Sequence, residues 1–216
     1  MSDRGRDILD AALTLFAERG YVGTSMKDIA ALLGIRAPSL YNHLDSKQDL
    51  LRDIMVTTME TLTADHYAAI GTTDDVAEQL RRAMEAHVRY HMRHQRAARI
   101  CDADLWHLEE PALTTVRDLW HDYVRSWREI IERGVELRRF ETATPELTAH
   151  AMLQMGAGVS YWYQGDGPLS EAQIAYHYGD MALRLVSGIP ASPITATAAP
   201  TPAERPRRGS AASPTG

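Results

Sequence analysis

Between Gly34 and Lys47 the chain reads GIRAPSLYNHLDSK, and its polar side chains are of one kind. Arg36, Ser39, Tyr41, Asn42 and His43 are short or planar hydrogen-bonding groups, suited to phosphate oxygens and base edges. Ala37 and Pro38 complete that face, and Lys27 precedes it as a further cation for DNA. Lys47 falls in the first turn of the next predicted helix. A cation there is unfavourable unless an anion lies in front of it, and a DNA phosphate would be such an anion.

Three other clusters invite different chemistry. His87, His91 and His94 stand four and seven apart, a helical spacing that can chelate zinc, with Asp102, Asp104 and His107 a little further on. Arg89 and Arg93 interleave with them and disfavour a cation, so no metal is expected. Cys101 near these histidines could be a nucleophile, but no nucleophile elbow, phosphate loop or carboxylate pair supports it. A non-enzyme without a cofactor is the expectation, with Cys101 a buried small residue. Arg81, Arg82, Arg89, Arg93, Arg96 and Arg99 crowd a stretch whose one acid is Glu85. With Arg89, Arg93 and Arg96 on one helical face, they are either a solvated face paired to acids elsewhere or a clamp for phosphates.

The elements that must position these groups are helices. Ile8, Leu9, Ala12, Leu13 and Phe16 form a stripe closed by Gly20. Ser25 with Asp28, Ser46 with Asp49, and Ser170 with Gln173 read as helix starts. GTTDD at 71–75 divides a helix ending near Ile70 from one running to about His94, and a short helix carries Cys101 to Leu108. Leu113, Val116, Trp120, Tyr123, Trp127 and Ile130 mark a long helix with one apolar seam. Thr144–Pro145 opens the next, and GDGP at 165–168 turns the chain into the last. The expected class is all-α: a compact N-terminal bundle over 1–45, a larger helical body over 46–189, and a disordered Pro/Ala/Ser-rich tail over 190–216.

Composition narrows the setting. The 216 residues are 44% hydrophobic with a formal net charge of -6. No apolar run is long enough for a membrane span, no signal peptide opens the chain, and a single cysteine excludes an internal disulfide, so a cytoplasmic protein without a membrane partner is expected. Acids and bases balance one for one from Met1 through Arg52. Any nucleic-acid contact therefore depends on where the charges sit.

Their placement fits a helix-turn-helix. Ala30 supplies the small residue at the helix crossing, Gly34 the left-handed exit four residues on, and Leu40 the apolar pin six further. An ordinary helical corner also accepts glycine, but would show Glu, Lys and Gln on its outer face. The stretch ILDAALTLFAERGYVGTSMKDIAALLGIRAPSLYNHLDSKQDLL, Ile8 to Leu51, resembles the DNA-binding domain of TetR-family transcriptional repressors through LFAERGY, TSMKDIAALLGI, LYNHL and SKQDLL. The resemblance implies a helix-turn-helix three-helix bundle over 1–45 and a helical effector-binding and dimerisation domain over 46–189, acting as a homodimer on a palindromic operator and released by a small effector. It also implies that Tyr41 and Lys47 hold phosphates while Arg36 to Ser39, Asn42 and His43 face the groove. Arg36 replaces the serine that often caps the recognition helix, leaving that helix less well capped while adding a cation that can reach guanine.

A second stretch, VSYWYQGDGPLS (Val159 to Ser170), is similar to the branch that controls fatty-acid and sterol breakdown, whose members respond to acyl-CoA thioesters. On that reading Arg89, Arg93 and Arg96 would hold the coenzyme A phosphates. Trp106, Trp120, Tyr123, Trp127, Met152 and Met155 would line an apolar pocket. A different apolar or aromatic effector is the alternative, and core packing alone also explains such a stripe. For the dimer, the last two helices carry apolar residues on more than one side. Gly158, Val159, Trp162, Ile174, Tyr178, Met181 and Leu185 are the expected interface, with Gly156 and Ala157 permitting close approach.

Overall fold

The computed structural model describes residues 3–42, 44 and 46–188, so His43 and the 190–216 tail lie outside the described residues. Among the described residues the architecture is all helical. The chain order is α1 (Asp3–Arg19), α2 (Met26–Leu32), α3 (Ala37–Leu40), α4 (Lys47–Ile70), α5 (Val76–Arg93), α6 (Gln95–Asp104), a 3-10 turn (Leu105–His107), α7 (Ala112–Glu136), α8 (Pro145–Ala157), α9 (Val159–Trp162) and α10 (Glu171–Leu185).

Local chemistry explains the boundaries. The Ser25 hydroxyl accepts from the Asp28 amide and the Asp28 carboxylate reaches back to the Ser25 amide, closing a capping box at the start of α2. Ser170 and Gln173 do the same for α10. Gly20 and Gly34 end their helices in the left-handed region, at φ 74° and 65°. The α5–α6 break at His94 has no side-chain cap, and α6 begins six residues before the expected Cys101. Nothing in the residues before Cys101 signals that start.

Two apolar cores organise the molecule. One joins α1–α3 and the first half of α4 around Ile8, Phe16, Ile29, Leu40, Leu51 and Met55, and it takes in Ile100, Leu108 and Val116 from further along the chain. The other joins the rest of α4 with α5, α7, α8 and α10 around Leu80, Met84, Tyr123, Trp127, Met152 and Ala182. α6 lies between them, packed on α1, α4 and α9. No helix among the described residues is long and apolar enough to cross a membrane.

Candidate DNA-binding and effector sites

At the tip of the first core, Ile29, Ala30 and Leu40 are buried while Leu33 and Ile35 pack against them from partly exposed positions. That packing turns Lys27, Arg36, Pro38, Ser39, Tyr41 and Asn42 outward into solvent, with Ala37 half-exposed. Tyr41 and Asn42 stand in the turn after α3, which is a single helical turn in length. Arg36 is the N-cap of α3, where a guanidinium, which has no acceptor, cannot cap, so α3 starts without a side-chain cap bond.

Lys47 corrects the electrostatic reasoning from sequence. Its Nζ donates to the carbonyl oxygens of Tyr21 and Thr24, both at 2.9 Å, and lies 4.1 Å from the centre of the Tyr21 ring. The carbonyl dipoles supply the negative partner, so no external anion is needed to place a cation there. One of its three N–H groups is left for a phosphate. The turn it ties down is also held by the Thr24 hydroxyl, which donates to the carbonyls of Leu15 and Gly20.

The DNA-binding bundle is tied to α6 and to the turn that follows it by polar contacts that the sequence did not announce. Arg96 donates to the Thr14 hydroxyl at 3.3 Å, the Gln48 side chain bonds the His107 carbonyl and the Glu109 amide, and the Tyr21 and His107 rings stack at 5.6 Å. On the other side of α6, Arg99 grips the Ser160 carbonyl and lies over the Tyr161 ring, whose hydroxyl donates to Asp102 at 2.5 Å.

The expected phosphate clamp is divided. Arg89 is paired to Glu85 at 2.9 Å, and the same carboxylate holds Arg81. Arg93 pairs with Glu171 at 2.7 Å, and Arg96 stands on α6 instead of continuing the face of α5. Arg93 and Arg96 nonetheless line one open cleft of 580 Å³ with Leu13, His94, Gln95 and Tyr163, where α1 meets the corner between α5 and α6. Arg89 is not in its lining.

The apolar set is also split. Trp106 is 75% exposed on the 3-10 turn beside Arg117, away from the others, because the chain leaves the helical path at Asp104. Trp120, Tyr123, Trp127, Met152 and Met155 are together in the second core. Two of the three histidines at metal-chelating spacing, for which no metal is expected, are buried against that core as well. His87 bonds the Tyr123 hydroxyl and the Leu153 carbonyl, both at 3.0 Å, and His91 Nδ1 bonds the His87 carbonyl at 2.8 Å. Burial holds both imidazoles below their ordinary pKa, His87 further than His91.

Of the expected dimer contacts, Val159 and Ile174 are buried inside their own protomer and Tyr178 packs half-buried against its core. A periodic stripe cannot tell the inside of a subunit from its partner. Gly156 likewise faces inward, where a Cβ would collide with the His87 ring. Gly158 is the half-buried C-cap of α8. Trp162, Met181 and Leu185 are exposed, and so are Leu147, Tyr161 and Tyr176, which the expected interface leaves out. Leu147 reads from sequence as the head of an apolar stripe with Ala151 and Met155, but the buried face of α8 is Ala149, Met152, Leu153 and Gly156. Tyr176 lies off the buried stripe of α10, and that offset was the available signal.

Comparison with known proteins decides the family. Residues 8–54 match the model for bacterial regulatory proteins of the tetR family, and residues 73–186 match the Tetracyclin repressor-like C-terminal domain. The chain belongs to the TetR family. It is a transcriptional regulator, not an enzyme. The HTH-type transcriptional repressor KstR2 of Rhodococcus jostii is 27% identical over 84% of this chain and 90% of its own length. Among solved structures, the regulator PfmR of Thermus thermophilus is 32% identical with a TM-score of 0.75, covering 82% of this chain and 97% of that one. AibR, solved in complex with isovaleryl coenzyme A and operator DNA, is 26% identical with a TM-score of 0.76, covering 83% and 97%.

Proposed function

We propose that this TetR-family regulator is a homodimeric repressor that holds a palindromic operator and is released from it by an acyl-CoA thioester. The observation that carries the reading is the cleft in which Arg93 and Arg96 meet the DNA-binding bundle at Leu13. Arg96 is bonded to Thr14 on α1, so an anion drawing on its guanidinium competes with the bond that sets the bundle against the body. The KstR2 relatives are named repressors, and AibR is a TetR-like neighbour that takes both an acyl-CoA and operator DNA.

On this reading residues 1–45 read DNA: Arg36, Ala37, Pro38, Ser39 and Asn42 contact the groove, with His43, outside the described residues, assigned the same role from sequence, while Lys27, Tyr41 and the remaining N–H of Lys47 meet phosphates. Residues 46–189 bind effector and partner, with the acyl chain entering between the helices that carry Trp120, Tyr123, Trp127, Met152 and Met155. Trp162, Met181 and Leu185, joined by Leu147, Tyr161 and Tyr176, form the two-fold contact. DNA selects the dimer whose recognition elements stand about 34–36 Å apart, one turn of the duplex. An effector weakens binding only by as much as its affinities for the two states differ.

Fluorescence anisotropy on DNA from upstream of the protein's own gene tests this, with and without a panel of acyl-CoA thioesters. Saturable binding that a thioester reverses, with the reversal lost in Arg93→Ala/Arg96→Ala, is the expected result. Binding that no thioester disturbs would discard the effector.

A further inference from the structure

Inside the second core a set of polar groups is gathered where apolar packing would be expected. His66 on α4 is 1% exposed and Trp127 on α7 is 0% exposed, and their rings stack at 5.4 Å and 25°. Ser126 fixes the proton on His66. The single proton of its hydroxyl goes to the Tyr123 carbonyl at 2.7 Å, so its oxygen accepts from His66 Nε2–H at 3.0 Å. His66 therefore presents Nδ1 as a bare lone pair. Trp127 Nε1 can only donate. The Tyr123 hydroxyl is near enough to feel that indole, yet neither Nε1 of Trp127 nor Nδ1 of His66 meets a partner in hydrogen-bonding geometry. Buried polar atoms without partners are costly, and two on neighbouring rings in one core call for a common explanation.

We propose that His66 Nδ1 and Trp127 Nε1 are the polar recognition point of the effector site, and that the group they take is a neutral hydroxyl on the apolar part of the effector. The hydroxyl donates its proton to Nδ1 and accepts from the indole N–H, satisfying both atoms at once. A ketone or thioester carbonyl accepts from the indole but leaves Nδ1 unmet. A carboxylate sets lone pair against lone pair. The groups in ring or hydrogen-bond contact with the pair, Tyr67, Tyr123, Ser126 and His87, include no cation to offset its charge. The surroundings suit an apolar body. Leu62 and Met59 lie one and two turns before His66 on α4, and Met84 and Met152 belong to the same cluster, flexible side chains that can yield to a ligand. The inference rests on the body being the effector domain and specifies what that domain reads.

The test is binding of matched pairs to the full-length protein, followed by Trp fluorescence and melting temperature. The pairs are 1-decanol with methyl nonyl ether, 3-hydroxydecanoyl-CoA with decanoyl-CoA, and 1-adamantanol with adamantane. At least one hydroxylated member is expected to bind about tenfold more tightly than its counterpart, the worth of one satisfied hydrogen-bonding group. That preference should vanish in both Trp127→Phe and His66→Phe. Nitrogen-15 NMR of the wild-type protein needs no substitution: the Nδ1 resonance of His66 should move upfield with the hydroxylated member alone. Equal binding across all pairs, a preference that survives both substitutions, or an Nδ1 already hydrogen-bonded to a buried water and unmoved by every probe would overturn the proposal. Loss of operator release with the preference intact would count against the repressor reading and leave the hydroxyl site standing.

Discussion

Lys47 joins the turn between α1 and α2 to the first turn of α4, so two functions meet on one ammonium. Lys47→Met should lower the stability of the DNA-binding bundle by about 1–3 kcal/mol, at about 0.5–1.5 kcal/mol for each of two partly exposed hydrogen bonds, and weaken operator binding as well. Tyr41→Phe, at a side chain 53% exposed, should leave the melting temperature unchanged while weakening all DNA alike. Arg36→Ala and Asn42→Ala should instead alter sequence preference, read by anisotropy on a set of operator variants. His66 sets a pH dependence. Burial pushes its pKa from 6.5 down to about 4, so between those values the unfolded chain binds the proton more readily than the folded one. Stability therefore falls as pH drops from 6.5 to about 4 and levels off below, by about 3 kcal/mol for a shift of that size. His87 and His91 act in the same direction. Urea unfolding at pH 7 and pH 4.5 measures it, and His66→Phe should flatten the profile.

Helices and their connections show which part of the design is written locally. The capping boxes of α2 and α10 and the left-handed glycine between α2 and α3 each involve neighbours within a few residues, and all three are legible in sequence. The α5–α6 break was not, because His94 offers no cap and the helical pattern runs through it. The arginine partners were not, because Glu171 and Thr14 reach Arg93 and Arg96 only after folding. For the same reason the sequence leaves Lys47 facing an anion, whereas in the fold two carbonyls meet it. The glycines separate two kinds of constraint. Gly34→Ala has open space for its methyl but a φ of 65°, and should cost about 1 kcal/mol in strain. Gly156→Ala has no such φ, but its methyl would enter the His87 ring and come within 3.0 Å of Met84. It should cost about 1–3 kcal/mol as overpacking and disturb the buried polar cluster, both measurable by denaturation and by the His87 NMR signals.

At the scale of the whole molecule, the exposed apolar side chains of α8, α9 and α10 predict the assembly. Tyr176→Glu with Leu185→Glu, at side chains 57% and 49% exposed, should yield a monomer by light scattering at micromolar concentration with its helicity unchanged. Operator affinity should fall by orders of magnitude, because two linked half-sites bind as one. A different consequence attends the core that takes Ile100, Leu108 and Val116 under the DNA-binding helices. The head is not a detachable cassette. A fragment cut after residue 54 would bare the apolar underside those three residues cover, and a chimera carrying another family member's head would bring a foreign surface down on them. Exchanging operator specificity between relatives should therefore succeed when only the outward residues of α2 and α3 are transplanted. Whole-head grafts should fold only when the underlying face of α6 and the start of α7 travel with them.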